Sequence, residues 1–388
     1  STATIKGADT QVNGLFAREV IQFPPNGLDI DDNFFARTIE LSEFPGRLYA
    51  GIFAPGRSVK TALLRVYSVI MNTVYKARLQ NVDEAILDPY WTLIGYFNSI
   101  RELGGARRLV EDDIPKRLEY LAVSGKASRR YVSNRKVFRY DEITSRKRSQ
   151  EIPQLLEKME QTLGSGQAMD IILASNMISV GMDIDRLGVM VVNGQPKSTA
   201  EYIQASSRIG RQFPGLVVTV YNWSRPRDIS HFERFMAYHQ VYYKFVEPTS
   251  VTPYSSRARD RALHAVLVGL CRVLIPELAN SGSAGNIVDF DVETTPLKNI
   301  LGMILERGAY IQQHEPDKIK MELIDLVEAW QNRGRQEDRI SFAPPLYRQR
   351  GRSYNYLLKH AGDDDNKAWL TPDSMRSVEK ESTLYYCR

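Results

Sequence analysis

Residues 170–211 read DIILASNMISVGMDIDRLGVMVVNGQPKSTAEYIQASSRIGR, and this stretch decides the fold class. Residues 171–174 and residues 189–192 are unbroken apolar runs, a pattern typical of strands covered on both faces in a parallel sheet. A polar loop separates the two runs, and a helical pattern follows the second. This order predicts an α/β fold in which helices flank a parallel sheet.

The loop of residues 175–185 lies where an α/β protein contacts its ligands. It is rich in serine, asparagine, glycine and aspartate, and it follows the first apolar run directly. Loops at the carboxyl ends of parallel strands commonly supply ligand contacts. The loop is therefore a candidate binding segment.

The helix predicted after the second run presents a polar face. Thr199, Gln204, Arg208 and Arg211 lie near or along one face of it, since separations of three, four and seven residues return to the same face. Two guanidinium groups one turn apart favour a nucleotide phosphate, which they can hold through paired hydrogen bonds. The alternative is a solvated face with ordinary ion pairs, but the preceding Gly/Asp loop favours the phosphate site.

Residues 175–184 and residues 204–211 carry a resemblance to a known family. The first segment resembles motif V, and the second resembles motif VI, of superfamily 2 helicases, both in the second RecA-like domain. Motif VI reads Q-x-x-G-R-x-x-R in that family. Here Ser207 stands in place of the glycine, while Gln204 and both arginines keep their places.

A longer resemblance covers residues 176–211, 225–228 and 246–267. The sequence of these segments is similar to that of the helicase subunit of DISARM anti-phage systems. It implies the C-terminal RecA-like half of an ATP-dependent superfamily 2 DNA helicase or translocase. DNA is the implied substrate, the DISARM subunit DrmB the implied partner, and ATP with Mg²⁺ the implied cofactor. We expect the metal ligands in the first RecA-like domain and none in these residues.

By resemblance, residues of motifs V and VI bind the nucleotide. Arg211 is the arginine finger that stabilises charge on the transferred phosphoryl group, and Arg208 holds the phosphates beside it. Gln204 senses the nucleotide. Gly181 and Asp183 link the nucleotide to the nucleic-acid strand, the glycine by close backbone approach and the aspartate as a hydrogen-bond acceptor for the ribose or a motif VI arginine.

The same resemblance implies nucleic-acid contacts at three places. Ser175 hydrogen-bonds a phosphate, Asn98 occupies the place of motif IV, and Thr144 lies in the segment before motif V that contacts the strand.

A further candidate contact comes from the residues themselves. Arg225 and Arg227 lie close to Trp223, and cations beside a ring can hold a nucleic-acid strand by charge and stacking. The alternative for Trp223 is a core anchor.

Residues 1–5, STATI, resemble motif III, with Thr2, Ala3 and Thr4 in the motif. In the family these residues relay the state of the nucleotide site to the nucleic-acid site. We predict three regions: the end of a first RecA-like domain with a linker (residues 1–40), a second RecA-like domain (residues 41–250) and a mostly helical accessory region (residues 251–388).

Local patterns predict further elements. Residues 47–53 and 91–96 have the composition of strands, and residues 59–79 and 317–333 carry apolar side chains at helical spacing. Residues 231–245 are predicted to form a single aromatic-rich helix.

Two basic segments are additional candidates for nucleic-acid contact. Residues 106–148 mix arginines and lysines with rings such as Phe138 and Tyr140, although a solvated loop surface explains them equally well. A second group stands at the start of a predicted helix, where charges are often merely exposed: Arg257, Arg259 and Arg261.

Composition sets limits on the class of protein. The 388 residues are 43% hydrophobic and carry a net charge of +5, which agrees with a polyanionic partner without requiring one. No apolar run is long enough to span a bilayer, and two distant cysteines give no disulfide framework. We expect a reducing, cytoplasmic setting in a prokaryote.

No Gly-x-x-x-x-Gly-Lys-Ser/Thr phosphate loop occurs in these residues. We therefore expect ATP hydrolysis only when the chain is joined to the first RecA-like domain, as part of a larger protein. The alternative function is a RecA-like module without catalysis that binds nucleic acid or serves as a scaffold.

Overall fold

The computed structural model describes residues 5–21, 23, 25, 28–29, 32–35, 37–44, 46–123, 135–147, 151–179, 184–249, 251–311, 315–337, 339–343, 355–359 and 367–371. Two compact units divide the chain. The sheet unit comprises Ser1–Lys6 and Gln22–Pro248, and the helical unit comprises Gly7–Ile21 and Thr249–Arg388. The three regions that we expect from the sequence stay a prediction.

Six parallel strands form the main sheet of the sheet unit, within the described residues. They are β1 (Arg47–Phe53), β2 (Leu93–Phe97), β3 (Tyr140–Ile143), β4 (Ile171–Ala174), β5 (Val189–Asn193) and β6 (Gly215–Tyr221), in the spatial order β1-β6-β5-β2-β4-β3. The predicted fold class, a parallel sheet flanked by helices, is confirmed.

The α-helices in chain order are α1 (Ala8–Phe16), α2 (Val59–Leu79), α3 (Glu84–Trp91), α4 (Ile100–Arg108), α5 (Ile114–Val123), α6 (Glu151–Glu160), α7 (Thr199–Ser206), α8 (Pro226–Glu233), α9 (Phe235–Gln240), α10 (Ser256–Leu274), α11 (Leu297–Ile311) and α12 (Pro316–Gln336). Short two-residue strands complete the helical unit: β7 (Ile340–Ser341), β8 (Asn355–Tyr356), β9 (Leu358–Lys359) and β10 (Trp369–Leu370). No helix in these described ranges is long and apolar enough to cross a membrane.

Alternating side chains of the central strands fill two separate cores. Ile94 and Tyr96 of β2 face one core, which α6 and α7 cover, while Leu93 and Phe97 face the other, which α2, α4 and α5 cover. Successive strand residues point to opposite faces, so a strand covered on both sides must be apolar throughout. This packing explains the unbroken apolar runs in the sequence.

Several predicted boundaries are confirmed and others are wrong. The predicted strand of residues 47–53 and the helix of residues 59–79 match β1 and α2. Ser58 caps α2, because its hydroxyl accepts a hydrogen bond from the backbone nitrogen of Thr61 at 3.1 Å. The strand predicted from residue 91 begins later, since Trp91 ends α3.

The single helix predicted for residues 231–245 is wrong. The segment contains the end of α8, then α9, and then a 3-10 turn over Tyr242–Phe245. The break at Arg234 allows Phe232 to stack on Phe53, with ring centroids 4.7 Å apart, while Phe235 packs against Tyr221. Ring packing on the sheet thus overrides helical continuity.

The helical unit has its own core around Trp330, whose indole nitrogen donates to the carbonyl of Ala284 at 2.8 Å. Arg259 is buried and forms ion pairs with Glu322 at 2.6 Å and Glu315 at 3.1 Å. The candidate nucleic-acid contact at Arg259 is therefore wrong, because the side chain is buried and carboxylates of its own unit neutralise the guanidinium.

One buried ion pair organises the start of β3 and β4. Asp170 accepts hydrogen bonds from the backbone nitrogens of Phe138 at 3.0 Å and Arg139 at 3.1 Å, and it lies 3.3 Å from the guanidinium of Arg135. Burial lowers the pKa of Arg135 to about 10. The guanidinium also stacks on Trp91, with 3.9 Å between its central carbon and the ring centroid.

We predict that Asp170→Ala lowers the free energy of unfolding by about 3 to 5 kcal/mol, because it leaves a buried guanidinium without its counter-charge. Urea unfolding monitored by circular dichroism measures this loss. The control is Glu84→Ala, which removes the partner of the exposed Arg78 and should change stability by less than about 1 kcal/mol. Equal effects of the two substitutions would contradict the prediction.

Candidate nucleotide and nucleic-acid site

The parallel strands bring separate segments of sequence to one edge of the sheet, which we call the carboxyl edge. Asn98 follows β2, Thr144 follows β3 and Ser175 follows β4. Trp223 and Arg225 lie in the segment after β6. These predicted nucleic-acid contacts therefore share an edge, although 127 positions separate Asn98 from Arg225 in sequence.

A buried carboxylate fixes the ends of β5 and β6 at this edge. Asp228 accepts hydrogen bonds from the backbone nitrogens of Asn222 at 2.7 Å and Gln195 at 3.1 Å. Gly194 has a φ of 72°, and a Cβ there would lie 2.9 Å from the Asp228 carboxylate. The sequence analysis missed Asp228, whose only local signal is its position in the first turn of α8 after Pro226.

Asn98 is held by backbone groups at the end of β5. Its amide nitrogen donates to the carbonyl oxygens of Asn193 at 3.1 Å and Gln195 at 3.2 Å. Its Oδ1 is buried without a hydrogen-bond partner among the described residues. In this orientation the side chain offers an acceptor, which suits a base or sugar donor better than a phosphate oxygen.

Ser175 and Thr144 are both buried. The carbonyl of Ser175 accepts from the nitrogen of Ile178 at 3.1 Å and so begins the 3-10 turn of Asn176–Ser179. The Thr144 hydroxyl donates to Glu142 at 3.1 Å and accepts from the nitrogen of Arg146 at 3.3 Å. That hydroxyl is engaged within its own turn.

The segment after β6 combines one paired and one exposed arginine. Arg225 forms an ion pair with Glu102 of α4, and this hydrogen bond raises the pKa of the guanidinium. Arg227 is exposed. Trp223 is partly exposed, not a core anchor, and its indole nitrogen donates to the carbonyl of Arg57 at 2.7 Å.

The two arginines of motif VI, Arg208 and Arg211, do not lie on helix α7. The helix α7 begins after Ser198, whose hydroxyl accepts from the nitrogen of Glu201 at 3.1 Å, and it ends at Ser206. Arg208 and Arg211 therefore lie in the turns that follow, and the prediction of one continuous helical face is wrong. Gln204 remains on α7 and is partly buried.

Gly210 is the physical reason for this turn. It has a φ of 68°, and its nitrogen donates to the carbonyl of Leu187 at 2.9 Å. A Cβ at this position would lie 2.6 Å from Cα of Gly215, the first residue of β6. The turns after Ser206 therefore bring the chain from the helix to β6.

Arg208 and Arg211 have different environments. Nη2 of Arg208 donates to the carbonyl of Ser179 at 2.7 Å, which connects motif VI to motif V. Nη1 of Arg211 lies 3.7 Å from Oδ1 of Asp185, and their side chains are 30% and 51% exposed. The first guanidinium is fixed by a backbone contact, while the second belongs to a weak surface ion pair.

Two acidic residues secure α7. Glu247 accepts from the backbone nitrogen of Thr199 at 2.8 Å and from its hydroxyl at 3.1 Å, and the Tyr96 hydroxyl donates to Glu201. A carboxylate at a helix N-terminus accepts hydrogen bonds from unpaired N–H groups, and its negative charge interacts favourably with the positive end of the helix dipole. The sequence analysis missed Glu247, because 48 residues separate it from Thr199.

A neighbouring arginine of the 170–211 stretch has a structural environment. Arg186 makes two hydrogen bonds of 3.0 Å with the carboxylate of Asp88, and it also donates to Thr92 at 3.0 Å and to the carbonyl of Met159 at 2.9 Å. All of these partners lie within the sheet unit. This guanidinium is thus fully used in holding α3 and α6 to the sheet.

Five predicted site residues lie outside the described residues: Gly181, Asp183, Thr2, Ala3 and Thr4. Among the residues that the structure does describe, no group of three or more histidine, cysteine, aspartate or glutamate side chains could hold a metal ion. The roles of all the candidate residues stay predictions.

Comparison with known proteins gives a family match and a close relative. Residues 116–212 match the family "Helicase conserved C-terminal domain". The chain is 47% identical over 390 residues to the DISARM protein DrmA of Bacillus paralicheniformis (strain ATCC 9945a / NCIMB 11709 / CD-2), which covers 99% of this chain and 34% of that protein. The chain thus spans about a third of the length of this curated relative.

Solved structures of helicases also match parts of the chain. The DUF1998 helicase MrfA bound to DNA and AMPPNP is 14% identical, with a TM-score of 0.36, over 55% of this chain and 24% of that chain. The Mycobacterium smegmatis helicase Lhr bound to ssDNA and AMP-PNP is 12% identical, with a TM-score of 0.40, over 71% of this chain and 29% of that chain.

We predict that Gly210→Ala lowers the free energy of unfolding by about 3 kcal/mol, since left-handed backbone strain and overpacking against β6 add together. Gly166 is the matched control, because it has the same φ of 68° and open space around its Cβ position. Gly166→Ala should cost about 1 kcal/mol. Urea midpoints of both variants test the difference, and a smaller effect at Gly210 would count against it.

Proposed function

The chain carries a helicase conserved C-terminal domain and is a relative of the DISARM protein DrmA, and we propose that it is the C-terminal half of an ATP-dependent superfamily 2 DNA helicase or translocase that acts in anti-phage defence. The geometry that carries this proposal is the contact between Arg208 and the carbonyl of Ser179. It joins the two segments whose spacing resembles motifs V and VI, and it leaves Arg211 partly exposed beside them.

Arg211 is the arginine finger in this proposal. Its ion pair with Asp185 is long and half-exposed, and such surface pairs contribute only about 0 to 1 kcal/mol. Giving up this ion pair for a phosphate therefore costs little free energy. An arginine finger that reaches the γ-phosphoryl oxygens stabilises the negative charge they carry in the transition state.

Arg208 and Gln204 have the supporting roles. Arg208 contacts the phosphates, and its hydrogen bond to the carbonyl of Ser179 holds motif V beside motif VI. Gln204 senses the nucleotide. Gly181 and Asp183 follow Ser179 in sequence by two and four positions. A shift of Arg208 that moves the Ser179 carbonyl would therefore be transmitted to them through only a few residues. Motif III, with Thr2, Ala3 and Thr4, relays the same signal from the first domain.

The first RecA-like domain supplies what these residues lack. The sequence has no Gly-x-x-x-x-Gly-Lys-Ser/Thr loop, and it spans 34% of its DrmA relative. We place the phosphate loop and the Mg²⁺ ligands in that first domain, so hydrolysis requires the two domains together. Mg²⁺ supplies charge neutralisation between the β- and γ-phosphates in such enzymes.

DNA is the proposed substrate, bound along the carboxyl edge. Ser175 and Asn98 approach the strand through backbone or acceptor groups, because their donors are engaged or buried, and the wholly buried Thr144 acts by ordering the turn after β3. Arg227 contacts the phosphates, and Arg225 adds a contact when its ion pair with Glu102 is broken. By the DISARM relationship we also propose the subunit DrmB as partner and the prokaryotic cytoplasm as location.

One observation favours a second candidate function, a RecA-like scaffold without catalysis. Arg225 is held by Glu102 and the Thr144 hydroxyl is wholly buried, so part of the carboxyl edge is already neutralised from within. A phosphate loop and a D-E-x-H or D-E-x-D motif in the preceding domain would favour the ATP-dependent helicase or translocase over the scaffold.

We predict that Arg211→Ala in the protein with both RecA-like domains lowers DNA-stimulated ATP hydrolysis by about a hundredfold, because the transition-state charge loses its guanidinium. Steady-state phosphate release measures the rate. Arg211→Lys should recover only part of it, since an ammonium group cannot make the bidentate contact. The control is Arg65→Ala, which alters an exposed arginine of α2. Near-normal ATP turnover by Arg211→Ala would contradict the proposed helicase function.

We predict that Glu102→Gln strengthens binding of single-stranded DNA severalfold, because Arg225 is released to neutralise a phosphate. The slope of log K against log salt should steepen by about 0.7 if one more phosphate is contacted. Fluorescence anisotropy across a salt series measures both quantities.

Two controls accompany the Glu102→Gln measurement. The gain should disappear in the double variant with Arg225→Ala. Glu337→Gln removes the partner of Arg333 in the helical unit and should leave the affinity unchanged. Unchanged affinity and slope in Glu102→Gln would exclude Arg225 as a phosphate contact.

A further inference from the structure

A cavity of about 420 Å³ lies in the sheet unit, at the edge of the sheet opposite the carboxyl edge. Its walls include residues one or two positions before the start of a strand: Trp91 before β2, Phe138 and Arg139 before β3, and Asp170 before β4. We call it the amino-edge pocket. Strands of four to seven residues separate the two edges by roughly 13 to 23 Å, so the pocket is distinct from the site proposed above.

The amino-edge pocket is strongly basic. Four cationic side chains line it against one carboxylate, that of Asp170. Arg135 pairs with Asp170, and Arg78 pairs with Glu84 at 2.6 Å. For the other two, Lys136 and Arg139, the described residues provide no ion-pair partner, so the pocket keeps an excess of positive charge.

The wall of the pocket is fixed in place. The Asp170 carboxylate binds the backbone nitrogens of Phe138 and Arg139, and Arg135 donates to the carbonyl of Trp91 at 2.6 Å. Nε of Arg135 is buried without a hydrogen-bond partner among the described residues. A buried donor left unsatisfied is unfavourable, and an anionic or polar ligand in the pocket would offer it an acceptor.

An exposed ring stands beside these cations. Phe138 is 73% exposed, although its own backbone is anchored by Asp170, so its exposure does not follow from a loose chain. Lys136 and Arg139 flank it in sequence. A ring flanked by cations is the arrangement with which proteins stack a base and hold the adjoining phosphate.

We propose that the amino-edge pocket binds one nucleotide unit, with its phosphate against Arg139 and Lys136 and its base stacked on Phe138. The cavity volume falls within the range of small-ligand sites. The nucleotide belongs either to a single strand that passes this edge or to a free nucleotide, and both present the same phosphate and base. The site involves neither Arg211 nor any residue of the carboxyl edge.

The test compares binding of a thymidine-rich single-stranded oligonucleotide and of adenosine monophosphate to the intact protein and its variants. Phe138→Ala should weaken binding about tenfold through lost stacking, and Phe138→Trp should retain the affinity. Arg139→Gln should reduce the salt slope for the oligonucleotide by about 0.7. Thermal melting of each variant verifies that it is folded.

A control variant and a crosslinking experiment that locates the bound oligonucleotide accompany these measurements. Tyr120→Ala removes an exposed ring that lies beside Arg117 on α5, outside the pocket, and should leave both affinities unchanged. An oligonucleotide carrying 5-iodouracil should crosslink to the peptide that contains Phe138 in the parent protein and not in Phe138→Ala.

Each outcome decides the proposal. Loss of oligonucleotide binding alone identifies a strand as the ligand, and loss of adenosine monophosphate binding alone identifies a free nucleotide. Parent-like affinities and slope in both Phe138→Ala and Arg139→Gln, with no crosslink at Phe138, overturn it. Because none of these variants alters motif VI, a failure here leaves the ATPase prediction for Arg211 standing.

Discussion

Burial of both faces of the parallel sheet is the constraint on which the rest of the structure depends. Every residue of β2, β4 and β5 is buried, so helices must cover each face and both sets of alternating side chains must be apolar. Because all the pairings in the sheet are parallel, each strand ends at the same edge. Polar side chains that are far apart in sequence, such as Asn98 and Ser175, therefore meet at that edge without any local signal that they should.

Buried charged groups of the sheet unit differ from Arg211 in how exposed their ion pairs are to solvent. Asp228, Asp170 and Arg186 are buried with several hydrogen-bond partners each, which is what burial of a charge requires. Arg211 instead belongs to a long, solvated ion pair. The buried set maintains strand ends and helix positions, and the weaker surface contact can be exchanged for a ligand.

The carboxyl edge is therefore partly organised by its own side chains before any nucleic acid is present. Glu102 neutralises Arg225, and backbone carbonyls occupy the amide nitrogen of Asn98. In the proposed function, a phosphate backbone would have to compete with these internal contacts, which lowers its affinity. The amino edge has the opposite balance, since its cations outnumber the carboxylates beside them.

The sequence by itself determined the fold class, the limits of β1 and α2, and the spacing of the motif residues, because apolar periodicity and a capping serine act between near neighbours. It did not determine where α7 ends. The helix ends at Ser206, and the backbone nitrogen of Gly210 then donates to the carbonyl of Leu187, 23 residues away in sequence, at 2.9 Å. The pairing of Arg225 with Glu102, the buried state of Thr144 and the basic pocket at the amino edge likewise depended on the tertiary structure. These features follow from strand order and side-chain packing over long sequence separations, which no local pattern records.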